Sequence, residues 1–127
     1  MLAKQYRFHG HKSLGFVYRK GQSVRDQLVV IKYTTNSRRQ HSRISVVVSR
    51  KTCKFAVGRN RIRRRIYEVF RHHLADFSAA YDIVVIVTSS DIATIPHTEL
   101  QLSIDKLLEK AGTIKLATSG IISEKGL

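Results

Sequence analysis

Cysteine, proline and tryptophan are almost absent from this chain of 127 residues, which has one cysteine, one proline and no tryptophan. A lone cysteine, Cys53, excludes a disulfide within the chain and a zinc site built from several thiolates. No apolar run approaches the roughly 20 residues needed to cross a bilayer. Residues 1–10 hold no apolar segment of signal-peptide length, so we expect a cytoplasmic protein.

Acidic residues are also scarce in the first part of the chain. Residues 1–73 contain 19 lysines and arginines against 2 acids, whereas residues 74–127 contain 4 against 7. The net charge of +14 therefore belongs to the first part of the fold, where it attracts polyanions. Because no exposed apolar anchor accompanies the charge, nucleic acid is a better candidate partner than a membrane surface.

Groups of catalytic residues are missing as well. His72 and His73 are adjacent, so on a helix their side chains point about 100° apart and cannot chelate one metal ion together. No close pair of acids suggests a two-metal site, and no serine lies in a glycine-framed nucleophile elbow. Taken alone, the residues predict a binding protein with no catalytic residue and no metal ligand of its own.

Arginine is abundant in the chain, and it is concentrated in one stretch that ends at Arg71. Six arginines lie between Arg59 and Arg71. The apolar residues among them recur at i, i+4, i+7 and i+8, the spacing of an amphipathic helix with one buried face: Ile62, Ile66, Val69 and Phe70. We predict that Asn60 caps this helix, which then runs to about His73 or Ala75. Its exposed like charges repel one another and indicate a polyanionic partner.

Three elements are predicted before the arginine-rich helix. A short helix covers Leu14–Arg19, and a β-branched strand covers Leu28–Tyr33. A basic loop then leads to a returning strand over Arg43–Ser49. This arrangement predicts a hairpin in which the two strands are antiparallel.

Two further elements are predicted after it. Tyr81–Thr88 is apolar on both faces, which is typical of a central strand. Because a helix separates it from the preceding strand, the two are expected to be parallel. The last helix begins near Pro96 and stops at Gly112. The sequence thus predicts one α+β domain of order α-β-β-α-β-α over residues 1–112, with a loosely held tail over 113–127.

One block of the sequence resembles a known family. Ala56-Val-Gly-Arg-Asn-Arg-Ile-Arg-Arg64, preceded by Val48-Ser-Arg-Lys51, is similar to the signature of the bacterial ribonuclease P protein subunit, with its Arg-Asn-Arg core. The similarity extends over roughly Tyr6 to Ala111. It also includes these residues: Arg7, Phe8, Leu14, Val17, Tyr18, Gly21 and Asp82.

The resemblance implies a fold and a function. The fold would be an α-β-β-α-β-α sandwich in which the crossover through the arginine-rich helix is left-handed, against the general preference. The family's RNA subunit carries the catalytic centre of an endoribonuclease. Its protein subunit positions precursor transfer RNA and assists the binding of Mg²⁺, which the RNA mainly holds. Ribonuclease P RNA and precursor transfer RNA would be the partners, and no DNA or membrane is expected.

The same resemblance implies site residues. The guanidinium group of arginine binds a phosphate through two N–H donors and can also stack on a base, which suits a folded RNA. The implied RNA-binding residues are Arg50, Lys51, Lys54, Arg59, Asn60, Arg61, Arg63, Arg64 and Arg65. A cleft between the first helix and the sheet would hold the single-stranded 5′ leader, where stacking tolerates any sequence. The implied cleft residues are Leu14, Tyr18, Ile31 and Tyr33.

The chain departs from the family pattern at a few positions. Tyr67 replaces a common basic residue, for which neighbouring Arg65 would compensate, and Gly58 replaces a larger residue. Two other functions stay open. A ribosomal or general RNA-binding protein would bind RNA without stimulating cleavage of precursor transfer RNA. A free-standing nuclease would cleave RNA with no RNA subunit, but it would need metal-binding acids of its own.

Overall fold

A computed structural model describes residues 6–7, 11–36 and 40–112. The predicted tail over residues 113–127 lies outside this part of the chain. Three helices and four strands form a mixed α+β domain, which confirms the predicted fold class. The elements in chain order are α1 (His11–Lys20), β1 (Gln22–Arg25), β2 (Val29–Thr35), β3 (Arg43–Val47), α2 (Ala56–Arg71), β4 (Tyr81–Val87), a 3-10 helix (Ser90–Ala93) and α3 (His97–Ala111). The short strand β1 and the 3-10 helix were not predicted.

The four strands form one sheet in the order β1-β2-β4-β3. β4 is antiparallel to β2 and parallel to β3, which confirms both its central position and the parallel β3-α2-β4 unit. The predicted hairpin is wrong, because β4 lies between β2 and β3. These two strands run in opposite directions as expected but do not pair. β4 is the most apolar strand. Its central position lets it pair with a neighbouring strand along both of its edges. The left-handed crossover stays a prediction.

The two faces of the sheet are covered very differently. We call the face under α2 and α3 the closed face. It contains the main core, whose largest members are Ile31, Ile44, Ile62, Ile66, Phe70, Ile83, Ile92, Leu100, Ile104 and Leu108. We call the other the open face; among the described elements, α1 covers it. There Val17 of α1 packs on Val84 of β4, with Leu14, Val47 and Ile86 partly buried around them.

Helix boundaries differ from the predicted ones by up to five residues. α2 begins at Ala56, with Phe55 as its N-cap and no capping side chain, whereas Asn60 was predicted to cap it. Gly58 lies in the first turn beside the Cys53 thiol: a Cβ at residue 58 would lie 2.6 Å from Cys53 Sγ, so a larger residue would require the thiol to move. α1 also starts earlier, at His11 rather than Leu14. Gly112 ends α3 at φ 77°, as predicted.

α2 ends at Arg71 because its next residues turn into the core. The His73 side chain is 5% exposed, and its Nδ1 lies 3.1 Å from Asp76 Oδ2. Its Nε2 lies 2.5 Å from Asp105 Oδ1 on α3. This contact ties the end of α2 to α3. His73 is therefore a packing residue that joins two helices. In the described part of the chain, no helix is both long and apolar enough to cross a membrane.

Candidate nucleic-acid interface

α2 presents its arginines to solvent because its apolar residues enter the closed face. Ile62, Ile66 and Phe70 are fully buried, and a helix that buries one stripe exposes the residues between. Arg61 and Arg64 are exposed, while Arg59 and Arg63 are half-buried. We call the resulting patch the basic surface. It comprises Arg50, Lys51, Lys54, Arg59, Asn60, Arg61, Arg63 and Arg64.

The connection before α2 belongs to the same surface. Arg50, Lys51 and Lys54 are all exposed, in a turn whose Cys53 amide donates to the Ser49 carbonyl at 3.0 Å. The Arg59 guanidinium reaches back to this connection. Its Nη1 donates to the carbonyls of Cys53 at 3.0 Å and of Lys54 at 2.8 Å. This contact fixes the loop cations relative to the helix cations, so the predicted RNA-binding residues on both segments form one surface.

Arg61 and Arg64 differ from the other arginines of α2 in having no hydrogen-bonding or ionic partner among the described residues. Arg63 Nη1 donates to Asn60 Oδ1 at 2.9 Å. Arg71 pairs with Glu68, its Nη2 lying 2.7 Å from Glu68 Oε2, and this pair lowers the pKa of the Glu68 carboxyl. Two neighbouring arginines without a described carboxylate partner are available to an external anion.

Two shallow hollows flank the exposed arginines. One, of about 410 Å³, is lined by Val57, Asn60, Arg63 and Arg64. The other, of about 540 Å³, lies towards α3 and is lined by Arg61, Arg64, Arg65, Glu68 and His97. His97 is the first residue of α3, and no sequence pattern predicts that it lies near the arginines. Both hollows are open to solvent and have Arg64 on their walls.

Arg65, also a predicted RNA-binding residue, differs from Arg61 and Arg64 in having partners inside the fold. Its guanidinium donates to the carbonyls of Ile92 and Ile95, so it joins α2 to the segment around the 3-10 helix. A guanidinium engaged with two carbonyls has a structural role and is less available to a phosphate than Arg61 or Arg64. Tyr67 is 7% exposed and part of the core.

Tyr67 illustrates how far the closed face excludes water. Burial raises the pKa of its phenol above the usual value of 10.0. A backbone hydrogen bond at Val46 and the positive charges of Arg7 and Arg63 oppose this increase without cancelling it. The side chain is thus held in its neutral form inside the fold. The position that is often basic in the resembling family is an internal one here.

The structure does not bring the four predicted cleft residues together on one face of the sheet. Leu14 and Tyr18 lie on α1 beside the open face, and Tyr18 is 40% exposed. Ile31 and Tyr33 point the other way, because alternate residues of a strand face opposite sides of a sheet. They are 1% and 8% exposed in the closed-face core. The Tyr33 hydroxyl donates to Gln22 Oε1 at 3.1 Å, and burial raises its pKa.

Other residues of the sheet take their place on the open face. The register puts Val30, Lys32 and Thr34 of β2 on this side, opposite Ile86, Val84 and Asp82 of β4. Lys32 Nζ lies 5.9 Å from the centroid of the Tyr18 ring, a cation–π distance. The sequence of β2 already indicated which of its residues lie on the open face. Lysine and threonine alternate with apolar residues in this strand, and polar positions mark the more accessible face.

An ion pair between β3 and β4 lies at one end of the open face. Arg43 Nε donates to Asp82 Oδ1 at 2.9 Å and its Nη2 to Oδ2 at 2.8 Å. Asn36 Nδ2 adds a third bond to Oδ2 at 2.9 Å. The side chains of the pair are 14% and 9% exposed. Asp82, one of the residues that carry the family resemblance, therefore joins β3 to β4.

Metal-binding side chains are not grouped in the described ranges, where no three histidines, cysteines or acids form a cluster able to hold a metal ion. The residues described thus do not fit a protein-held Mg²⁺. The expectation that an RNA partner holds the ion stays a prediction.

Comparison with known proteins agrees with the geometry. Residues 2–112 match the family model described as Ribonuclease P. The chain is 35% identical over 112 residues to the ribonuclease P protein component of Pseudanabaena sp. strain PCC 6903, covering 87% of this chain and 95% of that protein. It is 37% identical to the corresponding component of Staphylococcus haemolyticus, with coverages of 87% and 93%. The solved RNase P protein of Staphylococcus aureus superposes with a TM-score of 0.77 at 30% identity, with coverages of 87% and 98%.

Proposed function

The chain belongs to the ribonuclease P protein family, and from this premise we propose that it serves in the ribonucleoprotein that removes the 5′ leader from precursor transfer RNA. The catalytic centre is carried by the RNA subunit. The protein binds that RNA through the basic surface and holds the leader on the open face. It works in the cytoplasm, where it contributes to an endoribonuclease without supplying a catalytic residue.

One observation supports the proposal best: the domain has two surfaces of different chemistry. The basic surface contains Arg61 and Arg64, which have no described anionic partner, on a rigid helix of 16 residues. Guanidinium forks on a rigid helix suit the fixed phosphates of a folded RNA. The open face instead has an exposed aromatic ring, Tyr18, beside the cation of Lys32. An aromatic ring next to a cation suits an unpaired strand, whose bases stack while its phosphates are neutralised.

The two surfaces give the protein a positioning role. Binding at the basic surface attaches the domain to the catalytic RNA. The leader of a bound precursor then extends over the open face, and this contact adds affinity for precursor over mature transfer RNA. Val30, Lys32, Val47 and Ile86 replace Ile31 and Tyr33 as the sheet residues of this site, since they face α1. Each added cation near phosphate also reduces repulsion between two RNAs, so less Mg²⁺ is needed for their association.

Reconstitution tests the proposal directly. The purified chain is mixed with a bacterial ribonuclease P RNA and a 5′-labelled precursor at low Mg²⁺ concentration, and the released leader is measured. We expect cleavage at the mature 5′ end with the mixture and none with the protein alone. Binding without stimulated cleavage would instead identify a general RNA-binding protein. Cleavage by the protein alone would identify a nuclease in its own right.

The basic surface is tested by the double variant Arg61→Ala/Arg64→Ala. Both side chains lack described internal contacts, so the fold should be kept. We expect weaker assembly with the RNA, and a slope of log affinity against log salt that is shallower by about 0.7–0.9 for each lost phosphate contact. Arg65→Ala is the matched control, because it removes one arginine of the same helix that is engaged inside the fold. An unchanged slope in the double variant would place the RNA elsewhere on the protein.

A further inference from the structure

Phe55 is an aromatic side chain at a position where local structure gives no reason for one. It is the N-cap of α2 and makes no side-chain capping bond. N-caps favour small polar residues that accept from the first turn. Its side chain is 71% exposed, although the other described phenylalanine of α2, Phe70, is fully buried. Phe55 therefore contributes little to the core or to the start of the helix.

The surroundings of Phe55 are cationic. Lys54 Nζ lies 6.0 Å from the centroid of the phenyl ring. The Arg59 guanidinium is fixed nearby by the carbonyls of Cys53 and Lys54. No acid occurs in residues 50–67, and Val57, 79% exposed, extends the apolar surface by a second side chain. Isolated exposed apolar residues are common on proteins, but here the ring lies in a stretch of chain whose charges are all positive.

We propose that Phe55 is a stacking platform for an unpaired base of the RNA that binds the basic surface. The inference rests on the proposed function and adds to it a contact with a base, where the arginines contact phosphates. A nucleotide combines a flat apolar base with a negative phosphate, which matches an exposed ring beside fixed cations. An apolar patch for another protein would not require this one-signed charge. Phe55 lies at the start of α2, the helix that covers the closed face, whereas the proposed leader site lies beside α1.

The absence of tryptophan from the chain allows a direct test. Phe55→Trp introduces a single indole, whose fluorescence is quenched when a base stacks on it. The variant is titrated with a bacterial ribonuclease P RNA without precursor, and assembly is followed in parallel by mobility shift. Leu102→Trp is the control, because Leu102 is also exposed, at 55%, but lies on α3. We expect quenching of the residue-55 indole that saturates with assembly, and little change at residue 102. Assembly without quenching at residue 55 would overturn the proposal.

Two further variants separate stacking from general apolar contact. Phe55→Ala should weaken assembly about 5- to 150-fold, the equivalent of the ~1–3 kcal/mol of one base stack. Its melting temperature should stay close to that of the parent chain, because the removed ring is largely exposed. Phe55→Leu should bind nearly as weakly as the alanine variant. Wild-type affinity in either variant would overturn the proposal and favour a protein contact at this ring. Failure of the unaltered chain to assemble would instead contradict the proposed function.

Discussion

The closed and open faces of the sheet show how one small domain separates stability from binding. The closed face is covered by helices of 16 and 15 residues, and it contains almost all of the fully buried side chains. The open face is covered by a helix of 10 residues, and its buried cluster consists of Val17 and Val84. Most of the free energy of unfolding should therefore come from one face. The other is free to expose Tyr18 and cations without endangering the fold.

The largest expected effect is on the closed face. Phe70→Ala removes a fully buried ring between α2 and the sheet, and such a truncation costs about 3–5 kcal/mol of the free energy of unfolding. Urea denaturation followed by circular dichroism measures it. A loss below ~1 kcal/mol would show that the closed face is not the main source of stability.

The same substitution, valine to alanine, made once on each face provides a control for the comparison of the two faces. Val69 on the closed face and Val17 on the open face are both fully buried. Changing each to alanine removes the same two methyl groups, worth roughly 1.6 kcal/mol in transfer free energy. Val69→Ala should cost more than Val17→Ala, because neighbours held by two long helices relax less into the cavity. The reverse order would contradict the contrast between the faces.

The next effect concerns binding on the open face. Tyr18→Ala should weaken the binding of precursor transfer RNA to the assembled enzyme by about 1–3 kcal/mol if the ring stacks fully on a leader base. Mature transfer RNA has no leader, so its affinity for the assembled enzyme should not change. Tyr18→Phe keeps the ring and should bind like the parent chain. Equal losses for the two RNAs would exclude a leader contact at Tyr18, and a melting curve checks that the 40% exposed ring is not needed for folding.

The smallest expected effect is a change in how the free energy of unfolding depends on pH. Burial raises the pKa of Tyr67 on the closed face, so the folded state holds the phenolic proton more tightly than the unfolded state does. Its contribution to stability is complete below the ordinary pKa of ~10 and is lost as the pH rises through the higher folded pKa. Tyr67→Phe removes this titration. The free energy of unfolding of the variant should fall less steeply above pH ~10, and an unchanged slope would mean that Tyr67 ionises freely when folded.

The same contrast explains what the sequence could predict. α2 was identified because two signals coincide there: an apolar stripe of helical period and a single sign of charge. β4 was identified as central because both its faces are apolar. Each of these signals lies within one segment, so no knowledge of distant partners is needed to read it.

The errors arose where the answer depends on another segment. The loop between β2 and β3 suggested a hairpin, but the more apolar β4 takes the place between them. β1, with the sequence Gln-Ser-Val-Arg, has little strand character and is paired only along β2 among the described strands. The helical period separates Arg64, opposite the apolar stripe, from Arg65, which flanks it, but it does not show that the segment around the 3-10 helix supplies two carbonyls to the Arg65 guanidinium. Ile31 and Tyr33 were assigned to the wrong face although the alternation with Lys32 and Thr34 indicated the correct one.

The contact between Cys53 and residue 58 has a consequence for how this domain can evolve. The thiol occupies the volume that any side chain at position 58 would need, so the two positions are not free to vary independently. A larger residue at 58 fits only when the side chain at 53 rotates away or is shorter. The loop that leads into the arginine-rich helix and the first turn of that helix therefore constrain each other's side chains.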